Sequence, residues 1–306
     1  MSGPVVCFSY LAAAELWTVP RFPAAGYGAE VLCIERSIAA DGPMAAAALT
    51  ALGVPCLLLA NDVGGDVNGD EARGWLGRYG VATTVAGSAG ATPKIVVAAD
   101  AAGSRTWFAY LPDVAARLAG LDLSAVAGAC FAYVDCYQLI EGAAVRVIGA
   151  ARDSGVPVLL NLGGSPLSPA VAAAVDGCRG LVVQSNVDDA DAGQAPAMAS
   201  SIVDAAGAAW VVVTAGAYGA VAVGRGEWVS VPGFRARVRH THCAGAAFSA
   251  GLLYGMLHAW PMRESVGLGC ASGALRCERG HREPMPVLAE LQAVAGSRDR
   301  VSVPAA

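Results

Sequence analysis

Segments that predict β-strands alternate with segments that predict helices along most of this chain. Val5 to Phe8 predicts a buried first strand, Met44 to Leu52 an apolar helix, and Val54 to Ala60 the next strand. Further strands are predicted at 130–136, 156–162, 181–184 and 210–214, and further helices at 70–79, 141–153, 198–206 and 244–257. Apolar strands separated by helices are typical of a mostly parallel sheet covered on both faces. We therefore expect an α/β fold with a doubly wound central sheet.

The composition favours one compact protein and argues against two classes of partner. Of the 306 residues, 55% are hydrophobic and 15% are charged, which is typical of one large α/β domain with a smaller inserted substructure. The net charge of −5 argues against nucleic acid or an anionic membrane as partner, because both require clustered Lys and Arg. Clustering is limited to Arg235, Arg237, Arg239 and His240; the alternation of the three arginines predicts one face of a strand, which is either solvated or lines an anion site.

Cysteine usage and targeting signals predict a cytoplasmic protein. The nine cysteines include no Cys-x-x-Cys pair and lie mostly in apolar runs, as free thiols do in a reducing compartment. No basic segment precedes the apolar residues 5–14, so no secretion signal is expected. The apolar helix at 244–257 is too short to span a bilayer, so no membrane association is expected.

The segment His240 to Phe248 is the strongest functional signal. It joins a predicted β-rich run, Trp228 to Arg239, to the N-terminus of the helix predicted over 244–257. A helix N-terminus attracts anions through its unpaired N–H donors and the helix dipole. The segment carries no carboxylate that could act as a base on a molecule bound there.

The same segment resembles the signature Asp-Thr-x-Gly-Ala-Gly-Asp-Ala-Phe of the PfkB/ribokinase family of sugar and nucleoside kinases. The matching residues are Thr241, Ala244, Gly245, Ala247 and Phe248. His240 replaces the first Asp, Cys243 replaces the first Gly, and Ala246 stands where the family has its catalytic base. The resemblance implies a ribokinase-like fold with a small β lid, and a phosphotransferase ancestry in which the base position is now alanine.

Shorter motifs extend the resemblance and imply ATP and Mg²⁺ as cofactors. Val63-Gly64-x-Asp66-x-x-Gly69 matches a family turn that precedes a helix. The residues implied to lie near the nucleotide phosphates are Thr214, Gly216, Gly219, Thr241, Ala244 and Gly245. Asn186 and Asp189 match the family's Asn-x-x-Glu, which holds Mg²⁺ through its waters. Asp189 keeps the negative charge of the family's Glu, but its side chain is one methylene shorter.

The family's lid covers the substrate, and the resemblance implies a lid formed by residues 14–36 and 89–111. The core domain then comprises residues 1–13, 37–88 and 112–306. Residues 92–110 predict two strands joined by a polar turn. Ala14, Asp41 and Gly42 align with the family's sugar-binding positions, but the usual Asp and Asn are absent. The other expected contacts to a sugar- or nucleoside-like ligand are Lys94, Arg105 and Asp135.

Three functional hypotheses follow from the replaced residues. The first is a repurposed or catalytically impaired kinase homologue, because alanine cannot accept a proton from the substrate hydroxyl. The second is an active ATP-dependent kinase with a substitute base, for which His242, Asp135 and Asp189 are candidates. The third is a pseudokinase that acts as a regulatory or dimerisation partner, with a homodimer formed through exposed apolar lid residues such as Leu16, Trp17 and Val19.

The residues His240, His242 and Cys243 keep several chemical roles open. Cys243 at a helix N-terminus is a candidate nucleophile with His242 as its base, since thiolates are stabilised there. The three side chains are also candidate ligands of a transition metal, although an extended strand would turn Cys243 away from the two imidazoles. In the third alternative they fill a former phosphate site without any chemical role.

Overall fold

The computed structural model describes residues 3–86, 90–100 and 105–297, and it confirms the α/β architecture. The strands are β1 (Val5–Phe8), β2 (Ala12–Val19), β3 (Cys33–Ala39), β4 (Cys56–Asn61), β5 (Ala82–Ala86), β6 (Lys94–Asp100), β7 (Arg105–Tyr110), β8 (Phe131–Asp135), β9 (Val158–Asn161), β10 (Val182–Asn186), β11 (Trp210–Thr214), β12 (Ala220–Gly224) and β13 (Glu227–Val231). The α-helices are α1 (Asp41–Ala51), α2 (Val67–Arg78), α3 (Val114–Ala119), α4 (Glu141–Asp153), α5 (Pro169–Val175), α6 (Ala195–Ala206), α7 (Ala244–Leu257), α8 (Met262–Glu278) and α9 (Leu288–Ala295).

The large sheet has the strand order β13-β12-β11-β10-β9-β8-β1-β4-β5. From β11 to β5 all neighbours are parallel, whereas β12 and β13 are antiparallel additions at one edge. Strands β1, β8 and β9 are buried throughout, which explains their continuous apolar sequences. Because β1 lies between β8 and β4, the polypeptide winds in both directions from the centre, as the doubly wound prediction requires.

Helices cover both faces of the large sheet. On one face α1, α7 and α8 pack around a core that includes Met44, Leu252 and Val266. On the other face α4 contributes Val147 and Ile148 to a second core. Helices α7 and α8 approach closely at Gly251, where a Cβ atom would lie 2.6 Å from the carbonyl oxygen of Leu268. This contact fixes the direction of α7 and therefore the position of its N-terminus.

The second sheet has four strands in the order β3-β2-β6-β7. It contains the strands expected for the lid, although β2 begins at Ala12 and β3 continues to Ala39. The predicted turn between β6 and β7 falls largely outside the described residues. Within the described residues, none of the helices combines the length and apolarity needed to cross a membrane.

Two local expectations from the sequence are wrong. Leu16 and Val19 are buried, at 9% and 5% exposure, and Leu16 packs with Ala14 and Ile95. The apolar side chains that the lid exposes are instead Tyr27, Leu32, Ile34, Trp107, Phe108 and Tyr110.

The predicted strand carrying Arg235, Arg237 and Arg239 is also absent, since β13 ends at Val231. Backbone N–H groups in this segment bond to the end of α8 instead of a neighbouring strand. Arg237 N–H donates to Glu278 Oε1 at 2.8 Å, and Arg239 N–H donates to the Cys277 carbonyl at 2.8 Å. The arginines therefore do not share one face of a strand.

Candidate functional site

A buried polar cluster lies at the carboxyl ends of three neighbouring strands. Ser9 follows β1, Asp135 ends β8 and Asn161 ends β9. Asp135 Oδ2 accepts from Ser9 Oγ at 2.5 Å and from the Gly42 N–H at 2.7 Å, while its Oδ1 accepts from Tyr133 OH at 2.8 Å and Asn161 Nδ2 at 2.9 Å. Parallel α/β sheets bind ligands at this edge. The carboxylate of Asp135 is itself saturated with donors.

Asp41, the first residue of α1, places a second carboxylate beside the first. Its Oδ2 accepts from Tyr137 OH at 2.7 Å and from Asn161 Nδ2 at 3.1 Å. Asp41 is half-buried, and no hydrogen bond from the described residues reaches its Oδ1. One amide nitrogen of Asn161 thus holds both carboxylates, and Asp41 keeps one oxygen for a further donor.

Burial changes the protonation of this cluster. It raises the pKa of Asp41, and it raises the pKa of Asp135 further with the help of the neighbouring Asp41 charge. Hydrogen bonds from Ser9 and Asn161 oppose the rise at Asp135. The two carboxyl groups therefore bind protons more readily than isolated aspartates, as expected when like charges share a poorly solvated site.

The backbone that presents Asp41 is strained at one residue. Ala40 has φ 83° and ψ 152°, a region that glycine occupies almost exclusively. Gly42 needs to be glycine for another reason, because a Cβ there would lie 2.4 Å from the Cβ of Ser9. The turn before α1 thus has a backbone conformation that favours glycine, although residues 39 and 40 are alanines.

The N-terminus of α7 lies near Asp41. Cys243 precedes the helix in the left-handed conformation, with φ 58°, and provides no side-chain cap. Gly245 is exposed in the first turn, whereas Ala246 is fully buried and carries no polar group. The negative charge of Asp41 is the nearby charge that most strongly raises the pKa of Cys243, after burial itself. The thiol is accordingly neutral and a poor nucleophile.

The two histidines before α7 bind backbone carbonyl groups. His242 Nε2 lies 3.0 Å from the Ile38 carbonyl, and His240 Nε2 lies 2.6 Å from the Arg279 carbonyl. Burial lowers the pKa of each to about 4, so both rings are neutral at pH 7. Among the described residues, no three His, Cys, Asp or Glu side chains are grouped to hold a metal ion. The geometry thus favours neither the Cys243–His242 pair nor a transition-metal site.

Of the residues expected near the nucleotide, those between 186 and 219 lie together one strand further along the sheet, whereas Thr241, Ala244 and Gly245 lie at the N-terminus of α7. Asn186 and Thr214 are paired at the carboxyl ends of β10 and β11. Gly216 has φ 51°, and a Cβ there would lie 1.7 Å from Asp189 Oδ1, which accepts from the Ala217 N–H at 3.4 Å. Gly219 has φ 99° and would bring a Cβ within 2.1 Å of the Val231 carbonyl. Asp189 therefore supports the turn at 216–218.

The lid residues expected to contact the ligand lie on opposite faces of the small sheet. Arg105 donates to the Thr241 carbonyl at 3.3 Å and so links the lid to the residues before α7. Lys94 is on the other face and lies 3.6 Å from Glu15. Ala14 is buried on the face that Arg105 shares. Arg105 is thus the lid cation next to the cleft, and Lys94 is turned away from it.

Four members of the polar cluster were not predicted from the sequence: Ser9, Tyr133, Tyr137 and Asn161. A usable signal existed for two of them, because Ser9 and Asn161 are polar residues that end or directly follow fully apolar strands. At the carboxyl edge of a parallel sheet such residues point toward the ligand site. Tyr133 is fully buried within β8, and nothing in its local sequence distinguishes it from a core aromatic.

Comparisons with known proteins agree with this architecture. The family model described as pfkB family carbohydrate kinase matches residues 44–286. The fold is similar to Arabidopsis thaliana ribokinase complexed with ribose and ATP, with a TM-score of 0.77 and 20% identity over 97% of this chain and 100% of that chain. It is similar to Burkholderia thailandensis nucleoside kinase in complex with inosine, with a TM-score of 0.75 and 19% identity over 95% of this chain and 96% of that chain. None of the curated proteins matches the sequence.

Proposed function

Because the chain belongs to the pfkB family of carbohydrate kinases, we propose that it binds a small molecule with sugar- or nucleoside-like hydroxyl groups between the lid and the central sheet. The observation that carries this proposal is the carboxylate pair Asp41 and Asp135, held by Asn161 at the ligand-binding edge. The unused Oδ1 of Asp41 is an acceptor for a ligand hydroxyl, and Arg105 supplies a donor from the lid side.

We further propose that phosphoryl transfer is impaired relative to a kinase with a carboxylate at position 246. A positioned general base contributes roughly 10²–10⁴ in rate, and the buried methyl group of Ala246 cannot replace it. Cys243 adds a Cβ in a left-handed conformation at the helix N-terminus, where a phosphate would approach the backbone. The protein is then a catalytically impaired or repurposed kinase homologue.

ATP with Mg²⁺ is the cofactor that the remaining polar edge fits. Thr214 is half-buried and Gly216 is exposed in the turn that follows β11, Gly219 closes that turn from a buried position, and the N–H groups at the start of α7 complement phosphate oxygens. Asn186 and Asp189 would meet Mg²⁺ through its waters, as this ion prefers to retain them. When bound, MgATP would supply the phosphoryl group, and the residues named here would orient it.

A second function is favoured by one observation on Asp41. An active kinase needs a substitute base, and Asp41 is half-buried with an available oxygen near the N-terminus of α7. The other candidates are less suitable: Asp135 is saturated with donors, Asp189 supports a turn, and Nε2 of His242 is occupied by the Ile38 carbonyl. Asp41 would then accept the proton from the ligand hydroxyl.

A regulatory or dimerisation role would use the lid. Ile34, Phe108 and Tyr110 are 55%, 67% and 64% exposed, and the strand register places them on the face turned away from Arg105. Exposed apolar side chains of this size are typical of an interface. We propose a homodimer through this face, which is compatible with either function of the cleft.

The experiment that tests the proposal measures binding and transfer separately. Calorimetry with MgATP, followed by a panel of sugars and nucleosides, should detect a hydroxylated ligand whose affinity falls in Asp41→Asn. Phosphate transfer should be slow in the wild type and should rise by roughly 10²-fold or more in Ala246→Asp combined with Cys243→Gly. Ala246→Asn is the matched control, because it adds nearly the same volume without a proton acceptor.

Each part of the proposal has its own contrary result. If the wild type transfers phosphate as fast as the Asp-containing variant, the missing-base part is wrong. In that case, loss of transfer in Asp41→Asn with unchanged MgATP binding would support Asp41 as the base. If no member of the panel binds in the presence or absence of MgATP, the proposed ligand class is wrong.

A further inference from the structure

A buried guanidinium lies behind the N-terminus of α7 without a carboxylate partner. Arg276 of α8 is 2% exposed. Its Nη2 donates to His281 Nδ1 at 3.3 Å and its Nη1 donates to the Arg279 carbonyl at 3.4 Å, whereas its Nε has no hydrogen-bond partner among the described residues. A buried charge normally has an opposite charge within hydrogen-bond distance. Among the described residues, no acidic side chain forms an ion pair with Arg276.

The contact with Arg276 fixes the proton position on His281. A guanidinium can only donate, so Nδ1 of His281 must accept. Burial, together with the nearby histidines and Arg276, lowers the pKa of His281 to about 2, and the ring is neutral at pH 7. Its single ring proton therefore resides on Nε2. His281 is 4% exposed, and this N–H donor has no hydrogen-bond acceptor among the described residues; Glu35 Oε2 is 3.6 Å away.

That donor borders a cavity of about 620 Å³ between β3 of the lid and the loop that follows α8. Its charged lining residues are Glu35, Arg36, Arg239, Arg282 and Glu283. Glu283 is neutralised by Arg239 at 2.7 Å, and Arg36 is paired with Glu71 at 2.7 Å. The remaining lining charges, Arg282 and Glu35, balance each other, so the net positive charge at this cavity comes from Arg276, which lies directly behind His281.

We propose that this cavity binds the phosphate or carboxylate group of a small molecule. The Nε2–H of His281 and the guanidinium groups of Arg239 and Arg282 donate to the anion, and Arg276 holds the histidine in the tautomer that makes this possible. One wall belongs to the lid and the other to the core, so a bound anion draws the two together. The site is separate from the Asp41 cluster, and the inference does not depend on the function proposed for that cluster.

The test is calorimetric titration of the full chain with inorganic phosphate and, separately, with succinate, at constant ionic strength set by sodium chloride. We expect at least one of the two anions to bind at roughly millimolar concentration. Binding should weaken by roughly tenfold or more in Arg282→Gln and in His281→Phe, because each loses a donor to a charged acceptor. Arg179→Gln, which replaces an exposed arginine just before the start of β10, should bind as the wild type does.

Thermal unfolding of each variant checks that the fold is kept; Arg282 is exposed, so its replacement leaves the core unchanged. If the anion binds equally to the wild type, Arg282→Gln and His281→Phe, it occupies another site and the inference is wrong. The absence of binding by both anions to the wild type would also overturn it. The better of the two anions identifies the chemical class of the ligand.

Discussion

Asp66 binds Thr92 through both of its carboxylate oxygens. The Thr92 N–H donates to Oδ2 at 2.9 Å, and the Thr92 hydroxyl donates to Oδ1 at 2.6 Å. Asp66 also caps α2 by accepting from the Gly69 N–H at 2.9 Å. Thr92 lies just before β6, so one carboxylate joins the start of a core helix to the entry of the lid.

We therefore expect Asp66→Ala to destabilise the protein by about 2–4 kcal/mol, from the lost helix cap and the unsatisfied N–H of the buried Thr92. The hydrogen bonds from Thr92 lower the pKa of Asp66 to about 2. The stability that ionised Asp66 contributes is therefore fully present above the ordinary pKa of an aspartate, and it is lost as the pH falls toward 2. Urea denaturation measures the effect. Asp122→Ala, which removes an exposed aspartate bonded to Ser124, should cost much less, and equal losses would contradict the prediction.

Ala40→Gly should stabilise the protein by about 1 kcal/mol. Ala40 has φ 83° and ψ 152°, a conformation that costs a non-glycine residue roughly 1–3 kcal/mol. Glycine removes that strain and loses part of the gain through its greater freedom in the unfolded chain. Ala39→Gly, one residue earlier in regular strand conformation, should destabilise instead. Urea denaturation of both variants gives the comparison, and the same sign for both would refute the assignment of strain to residue 40.

Much of the fold was predictable because apolar periodicity and helix limits are local properties. Helices α4 and α7 and strands β1 and β11 have the predicted bounds. The strand predicted through Arg235 to Arg239 failed because its alternation is local, whereas its hydrogen-bond partners, Cys277 and Glu278, lie far along the chain. Likewise, the burial of Leu16 depends on contacts with residues such as Ile95, which lies far along the chain on β6.

The candidate site was less predictable for the same reason. Asp41 and Asp135 were expected near a ligand through the resemblance and a strand end, but their connection through Asn161 joins residues 120 and 26 positions apart. Their raised pKa values arise from that assembled environment. The tautomer of His281, by contrast, depends on a neighbour in the sequence, Arg276 in the last turn of α8. Sequence patterns could indicate that a ligand binds at the carboxyl ends of the strands. They could not indicate which carboxylates would accept hydrogen bonds from the same side-chain amide there.

Acidification below pH 6.5 should destabilise the protein through its buried histidines. The pKa values of His240 and His242 are lowered to about 4 and that of His281 to about 2, first by burial. The three histidines therefore take up protons at a higher pH in the unfolded chain than in the folded one. As a result, the stability that their neutral forms contribute above pH 6.5 is lost as the pH falls. Each ring contributes up to about 1.4 kcal/mol per pH unit.

Urea denaturation between pH 7.5 and about pH 5 should show this slope, reduced by one proton in His281→Phe. Asp135 acts with the opposite sign, because its raised pKa favours the folded state as the pH falls from neutral toward the ordinary aspartate value. The histidine slope should therefore be steeper in Asp135→Asn. A wild-type slope that His281→Phe leaves unchanged would show that this ring is not buried in its neutral form.

Gly216→Ala should disrupt the turn that we assign to the nucleotide. The new Cβ would meet Asp189 Oδ1 at 1.7 Å, in addition to the strain of φ 51°. Gly226 has φ 85°, and an added Cβ there would meet no atom within 4 Å. Gly226→Ala therefore measures the backbone strain alone, which costs about 1–2 kcal/mol. We expect a larger loss of stability in Gly216→Ala and weaker MgATP binding by calorimetry. Asp189→Ala in the same chain should recover part of the stability, and unchanged MgATP affinity in Gly216→Ala would contradict a nucleotide role for the turn.

Phe108 and Trp107 are neighbours on β7 with nearly equal exposure, 67% and 66%, but the register places them on opposite faces of the lid. If the homodimer forms through the face that carries Ile34 and Phe108, then Phe108→Asp should dissociate it, since a desolvated charge is costly at an apolar contact. Trp107→Asp should leave the dimer intact, because its side chain shares the face of Arg105 and borders the cleft; it should weaken ligand binding instead. Sedimentation velocity over a concentration series distinguishes the two. Dissociation by both variants would place the contact at the edge of β7 itself, and a monomeric wild type would exclude the lid dimer altogether.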